Sequence, residues 1–316
     1  MMQPCDAAPA QHAAHNRPRD REDFTEEGCK LNIGFIGAGA VACSMGKYIS
    51  ENSSIAKIKG YYSRTKKSAD IAATFTNSTA YDSSEELVKE CDIICVATPD
   101  DSILKVWEQI KDFNLHKKII CHFSGSLSSD IFSGIEKTGA EKISIHPMYA
   151  FSDKFTSYKQ LNTARLTIEG STEAVKVIKE LFGAELKHQI FELKASDKVK
   201  YHVAAAFASN YIVGIFDVAL ELLKNCGFTD KDAVSLLEPL ITGNVKSVLQ
   251  NGTKDALTGP VIRNDIGTIK KHIEALEDRD MIDIYKSVGK RLVGISKQKY
   301  SDRDYSELED IFSKRK

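Results

Sequence analysis

Residues 31–45, LNIGFIGAGAVACSM, constrain the fold more than any other part of the chain. A short apolar run over 33–36 meets Gly37-Ala38-Gly39-Ala40-Val41-Ala42 and passes into helix-forming residues, a strand, glycine turn and helix in succession. Gly37 permits the tight turn, Gly39 lets backbone approach a pyrophosphate, and the small Ala42 lets helix pack on strand. A phosphate seated there meets free N–H groups and the positive end of the helix dipole. An ordinary tight turn has the same pattern, so the order of the downstream elements decides between the two.

Downstream, strands and helices alternate. Strands are expected over 57–62, 79–81, 92–97, 119–123 and 143–145, with helices over 83–90 and 102–110 between them. The run DIICVA at 92–97 is apolar throughout, as in a parallel strand buried on both faces. Two further strands, 165–169 and 189–192, flank a helix over 171–182 and extend the same sheet. The fold class is therefore α/β, an N-terminal Rossmann-like, doubly wound, mostly parallel sheet. From Ser196 the character changes. One helix runs from there to about residue 225 with Gly227 to end it, and helical patterns continue over 230–249, 265–277, 281–297 and 301–313. The expected organisation is a disordered extension over 1–29, a dinucleotide-binding domain over 30–194 and an all-helical substrate and dimerisation domain over 195–316.

Sheets of this kind bind ligands beyond the carboxyl ends of their strands. After the second strand stands Ser63-Arg64-Thr65-Lys66-Lys67, with no acidic residue to accept the ribose hydroxyls of NAD. Two hydroxyls around a guanidinium suit the 2′-phosphate of NADP, although a solvated basic turn has the same composition. Thr98-Pro99 follows the fourth strand and Ser124-Gly125 the fifth, both beside the expected nicotinamide position. The cofactor set is thus Gly37, Ala38, Gly39, Ala40, Val41, Ser63, Arg64, Thr65, Thr98, Pro99, Ser124 and Gly125, with NADP as ligand.

Composition removes other classes. The 43 basic and 44 acidic residues leave a net charge of −1, with no general pull toward nucleic acid or an anionic membrane. Seven scattered cysteines without a C-x-x-C pair form neither a disulfide framework nor a zinc site, and a reducing cytoplasm suits them. Cys95 and Cys121 read as small core residues. No metal site is expected. The apolar stretch 203–220 is interrupted by Ser209, Asn210 and Asp217, which argues for a buried helix rather than a membrane span.

Two clusters can carry chemistry. On the helix after residue 196, Lys198 lies about 40° and Ser209 about 20° from His202 around the axis, and Asn210 about 80°. This polar stripe either bonds internally or faces a cleft and supplies the proton that accompanies hydride transfer. The second cluster is Leu257-Thr258-Gly259-Pro260-Val261-Ile262-Arg263-Asn264-Asp265. Gly-Pro sets a rigid turn, Asp265 caps the next helix, and Arg263, in a loop, can grip a carboxylate or simply pair with Asp265. Asn244, polar within an apolar helix, has the same two readings.

The segments GFIGAGAVA, CHFSGSLSSDIF, SIHPMYAF, KYHVAAAFASNY and ALTGPVIRND together resemble two-domain Rossmann-like oxidoreductases whose C-terminal helical part is a domain of unknown function. The wider clan includes ketopantoate reductase, pyrroline-5-carboxylate reductase and the β-hydroxyacid and 6-phosphogluconate dehydrogenases. The resemblance covers nearly everything after residue 30. It implies an NADPH-dependent reductase of a small 2-oxo acid, with ketopantoate as the specific expectation, and a homodimer in the cytoplasm. The alternatives are an imine reductase or a non-catalytic NADP-binding sensor. In the ketopantoate and β-hydroxyacid enzymes a Lys on this helix is followed four residues later by Asn. Lys198 matches, but position 202 is His, leaving the acid open between the two. Ser209, Asn210 and Asn244 would orient substrate oxygens, Arg263 would hold its carboxylate, and Asp265 completes the candidate set.

Overall fold

The structure is a computed structural model and describes residues 30–314; the extension expected over 1–29 lies outside them. The chain divides into two compact units, one ending at Ala206 and the other beginning at Phe207. The change of character near residue 194 thus precedes the division, because the first turns of the helix after it are tied to loops of the sheet.

The first unit holds an eight-stranded sheet: β1 (Leu31–Ile36), β2 (Ala56–Tyr62), β3 (Thr79–Ala80), β4 (Ile93–Val96), β5 (Ile119–His122), β6 (Glu141–Met148), β7 (Arg165–Gly170) and β8 (Ile190–Glu192). Their order is β3-β2-β1-β4-β5-β6-β7-β8, parallel except for the antiparallel β6–β7 pair. The crossover helices are α1 (Ala40–Asn52), α2 (Lys66–Thr76), α3 (Ser84–Glu90) and α4 (Asp100–Ile110), followed by α5 (Thr172–Ile178). The expected alternation is present. The apolar run in β4 is continuous because alternate side chains enter different cores. Ile93 and Cys95 join Phe35, Tyr61 and Ile143 on one face; Ile94 and Val96 join Ile36, Trp107 and Phe132 on the other.

Three local expectations differ. His146-Pro147-Met148 does not leave the sheet but continues β6 opposite residues 165–167 of β7. The proline is tolerated because β6 pairs with β5 only as far as Ser144, so at Pro147 the strand is an edge on that side. The helix expected over 171–182 becomes π-helical from Lys179 to Glu185. The long helix after Ser196 is broken: α6 (Lys198–Ala208) and α7 (Asn210–Asn225) meet at Ser209, whose φ of −128° and ψ of −78° are not helical.

The second unit begins within this pair and continues as α8 (Asp230–Ala256), α9 (Pro260–Arg263), α10 (Ile266–Ala275), α11 (Arg279–Lys299) and α12 (Ser306–Ser313). Its core gathers Val261, Ile269, Ile273, Val293, Tyr305, Leu308 and Phe312. That core draws nothing from α7 or α8. The stretch 203–220 is therefore not a buried helix in the single chain: Val213 is 69% exposed and Phe207, Tyr211, Ile212 and Ile215 are exposed with it, as is Leu240 of α8 at 61%. By length and apolarity alone, Ala195–Asn225 could also cross a membrane.

Candidate functional site

The carboxyl ends of four adjacent parallel strands line up the residues singled out for the nucleotide. At the end of β1, Gly37 has φ +111°, and a Cβ there would stand 2.4 Å from the Ala97 carbonyl oxygen, so only glycine fits. A Cβ at Gly39, the N-cap of α1, would meet nothing within 4 Å, which leaves the helix N-terminus open to a ligand. Ala42 is fully buried against the sheet. At the end of β4, the buried hydroxyl of Thr98 has no hydrogen-bond partner. An orphaned donor beside an open helix N-terminus and a glycine cradle fits a phosphate-bearing nucleotide. Beyond β2, Lys66 is occupied by Asp82 and the Ala80 carbonyl, whereas Arg64 is exposed without an ion-pair partner among the described residues.

The loop after β5 is built tightly. Asp100, in the first turn of α4, accepts hydrogen bonds from Ser124 Oγ at 2.7 Å and Ser126 Oγ at 2.9 Å. The Ser124 N–H donates to His122 Nδ1 at 3.2 Å. Burial pushes the His122 imidazole down to about 4, and its Nε2 has no partner. Lys198 closes the loop from the other side. Its Nζ donates to the Ser124 carbonyl at 2.8 Å and to Ser144 Oγ at 2.7 Å, and its side chain is only 2% exposed. Burial lowers this ammonium to about 8, with Glu169 and Asp100 opposing the shift.

One turn further along α6, His202 stands over Gly125. A Cβ on Gly125 would lie 2.3 Å from His202 Nδ1 and 2.9 Å from His146 Nε2. The two rings are nearly perpendicular with centroids 5.9 Å apart, and His146 Nδ1 pairs with the Tyr201 hydroxyl at 2.7 Å. Burial, with Lys198 and His202 nearby, lowers His146 to about 4. The loop Ser124-Gly125, Lys198 and His202 are thus brought together as a group.

The remaining sequence candidates all belong to the second unit. Ser209 and Asn210 sit at the kink between α6 and α7, where Ser209 Oγ donates to Asn210 Oδ1 at 3.0 Å. The polar stripe is not continuous past this break. Asn244 is exposed on α8. Arg263 ends the short helix α9 rather than standing in a loop, because Pro260 starts a helical turn and Asn264 closes it with φ +59°. Asp265 caps α10, accepting from the Thr268 N–H at 3.1 Å and hydroxyl at 2.8 Å, and those bonds hold its carboxyl below the usual range. Asp100, Ser144, His146, Glu169 and Tyr201 were not singled out by spacing. Only the HPM and KYH segments pointed toward two of them.

Residues 31–123 match the family model described as oxidoreductase family, NAD-binding Rossmann fold. Residues 164–292 match that of a domain of unknown function (DUF2520). No curated protein sequence matches the chain. Among solved structures, a Bacteroides fragilis protein provisionally classed as an NADP oxidoreductase is 23% identical with a TM-score of 0.69, over 84% of this chain and 98% of that one. Pyrroline carboxylate reductase of Plasmodium falciparum, solved with NADP bound, is 19% identical with a TM-score of 0.54, over 86% and 99%. The reductive aminase of Aspergillus terreus, solved with NADPH and ethyl-5-oxohexanoate, is 12% identical with a TM-score of 0.58, over 90% and 99%.

Proposed function

We propose that this chain, an oxidoreductase-family NAD-binding Rossmann domain followed by a DUF2520 domain, is an NADPH-dependent reductase of a small polarised double bond. The observation that carries this reading is the meeting of His202 and His146 over Gly125, on the same strand-end edge as the glycine cradle and the orphaned Thr98 hydroxyl. A nucleotide cradle and a proton source on one edge are what a reductase needs.

In this reading the 37–41 turn holds the pyrophosphate, and Ser63, Arg64 and Thr65 hold the 2′-phosphate. Thr98, Pro99, Ser124 and Gly125 flank the nicotinamide, which supplies hydride when bound. Lys198 acts as a clamp: two of its three donors are spent on Ser124 and Ser144 and it is buried. His202 is exposed and stands over Gly125 with its ring free of the Lys198 clamp, so it delivers the proton. Asp265 serves by capping the helix behind Arg263.

A proton donor at the loop favours a carbonyl over an iminium that already carries its proton, so the leading substrate is a small 2-oxo acid, with ketopantoate the specific candidate. A cyclic imine is the second reading, favoured by the fold shared with pyrroline carboxylate reductase. All five cysteines among the described residues are free, which supports a reducing cytoplasm. The exposed apolar faces of α7 and α8 support a homodimer that covers them.

The test is NADPH oxidation followed with ketopantoate, other 2-oxo acids and 1-pyrroline-5-carboxylate. Turnover of a keto acid, with the preference for NADPH over NADH reduced about tenfold or more in Arg64→Ala, is the expected result. Turnover of the imine alone selects the second reading. Tight NADPH binding with no turnover of any of them makes the chain a sensor module.

A further inference from the structure

We propose that Tyr201 and His146 form a proton relay that feeds His202 across Gly125. The inference rests on the reductase reading and adds two residues to it.

The Tyr201 hydroxyl lies 2.7 Å from His146 Nδ1 and 3.9 Å from Met148 Sδ, and Thr167 Oγ1 donates to the His146 carbonyl at 3.4 Å. An imidazole nitrogen at 2.7 Å is a far better acceptor than a thioether at 3.9 Å, so the phenol proton points to His146 Nδ1. That ring nitrogen is then the acceptor, and the proton of the neutral imidazole resides on Nε2. His146 Nε2 and His202 Nδ1 both face the space above the Gly125 Cα. Measured through a Cβ at that point they are at most about 5.2 Å apart, within reach of direct contact or one bridging water. Any side chain at position 125 would fill the gap between the rings. Its absence is what lets them face each other.

The charged and titratable groups around His146 are Lys198, His202 and Asp100, with Tyr201 against its other nitrogen. Burial disfavours a charge on His146, with Lys198 and His202 adding to it, so His146 stays neutral at working pH. A neutral imidazole with one face on a phenol and the other on a second histidine passes protons without holding one.

The steps balance. His202 gives its Nε2 proton to the substrate atom that has received hydride, and takes a proton at Nδ1 from His146 Nε2. His146 takes one at Nδ1 from the Tyr201 hydroxyl, and Tyr201, which is part-exposed, is reprotonated by water. One N–H or O–H bond breaks for each that forms. The net change is one proton from water to product, and exchange with water restores the starting tautomers.

Long-range proton–nitrogen NMR spectra of the isotope-labelled full chain test the arrangement without any substrate. The expected spectrum has His146 neutral and protonated on Nε2, still so at pH 5, with Tyr201→Phe abolishing that tautomer preference and moving the His202 signals. With whichever of ketopantoate or 1-pyrroline-5-carboxylate the wild type reduces, Tyr201→Phe lowers kcat about tenfold, less than loss of the acid itself. It also enlarges the solvent deuterium isotope effect and leaves the KM for NADPH unchanged. His146→Gln behaves similarly, and Tyr201→Phe, which removes one oxygen, stands if that variant fails to fold. A wild-type His146 protonated on Nδ1, or His202 signals indifferent to Tyr201→Phe, overturns the relay. Absence of turnover in the wild type overturns the reductase reading instead, leaving the spectra to decide the geometry.

Discussion

Lys198 illustrates how one residue type is redirected by its surroundings. On sequence it competes with His202 as the acid; in the structure its ammonium ties the α6 backbone to the Ser124 carbonyl and Ser144 hydroxyl. The cost of burying that charge appears as a pKa lowered to about 8. Between pH 8 and the ordinary lysine value the unfolded chain binds more protons than the folded one, so this group's contribution to stability rises with pH through that window and is lost as pH falls through 8. Lys198→Met removes the dependence. Denaturant unfolding across pH 8 to 10.5 should show the wild type gaining on the variant by at most about 3 kcal/mol, and parallel curves would rule out a buried lysine of lowered pKa.

Among the elements, the β1–turn–α1 unit was the most legible, because each of its small residues answers a steric demand. Gly37 must have φ +111° with the Ala97 carbonyl pressed against its Cα, and the helix N-terminus beyond it must stay open. Gly37→Ala should cost about 1–2 kcal/mol of stability from the backbone alone and weaken NADPH binding at least about tenfold, measured by thermal melting and by quenching or calorimetric titration. The α6–α7 pair was less legible. Periodicity over 196–225 is continuous, and nothing in the apolar pattern marks Ser209 as a break. A helical wheel drawn through it therefore joined Ser209 to His202, although Ser209 is the non-helical residue at which α6 ends. In the same way the strand expected over 143–145 stops short of HPM, whose strand conformation comes from pairing with β7, a partner more than fifteen residues away.

Across the whole molecule, the distribution of apolar surface is the feature that the single chain leaves unbalanced. The second unit has a core of its own at α9 to α12, yet Leu240, Val245 and Leu249 of α8 and the apolar residues of α7 are exposed. At about 25 cal/mol per Å² of apolar surface, helices so exposed favour association strongly. Under the homodimer reading, wild type sediments at twice the mass of the chain, and Leu240→Glu shifts it to the monomer mass while the fold, read by circular dichroism, is retained. A wild type that sediments as a monomer at micromolar concentration would refute that assembly.

The sequence by itself determined the α/β class, the alternation of strands and helices, the glycine cradle and the residues that stand at the strand ends. These depend on local sterics and on the alternation of apolar residues, both of which act over a few residues. Only the tertiary structure decided that Lys198 is buried as a clamp, that Asp100 anchors the Ser124–Ser126 loop, and that His146, Tyr201 and His202 converge on Gly125. Those groups come from α4, the β5 loop, β6 and α6, up to 102 residues apart in the chain. Their meeting is set by how the sheet orders its strands and where α6 docks, and no periodicity within one segment encodes that.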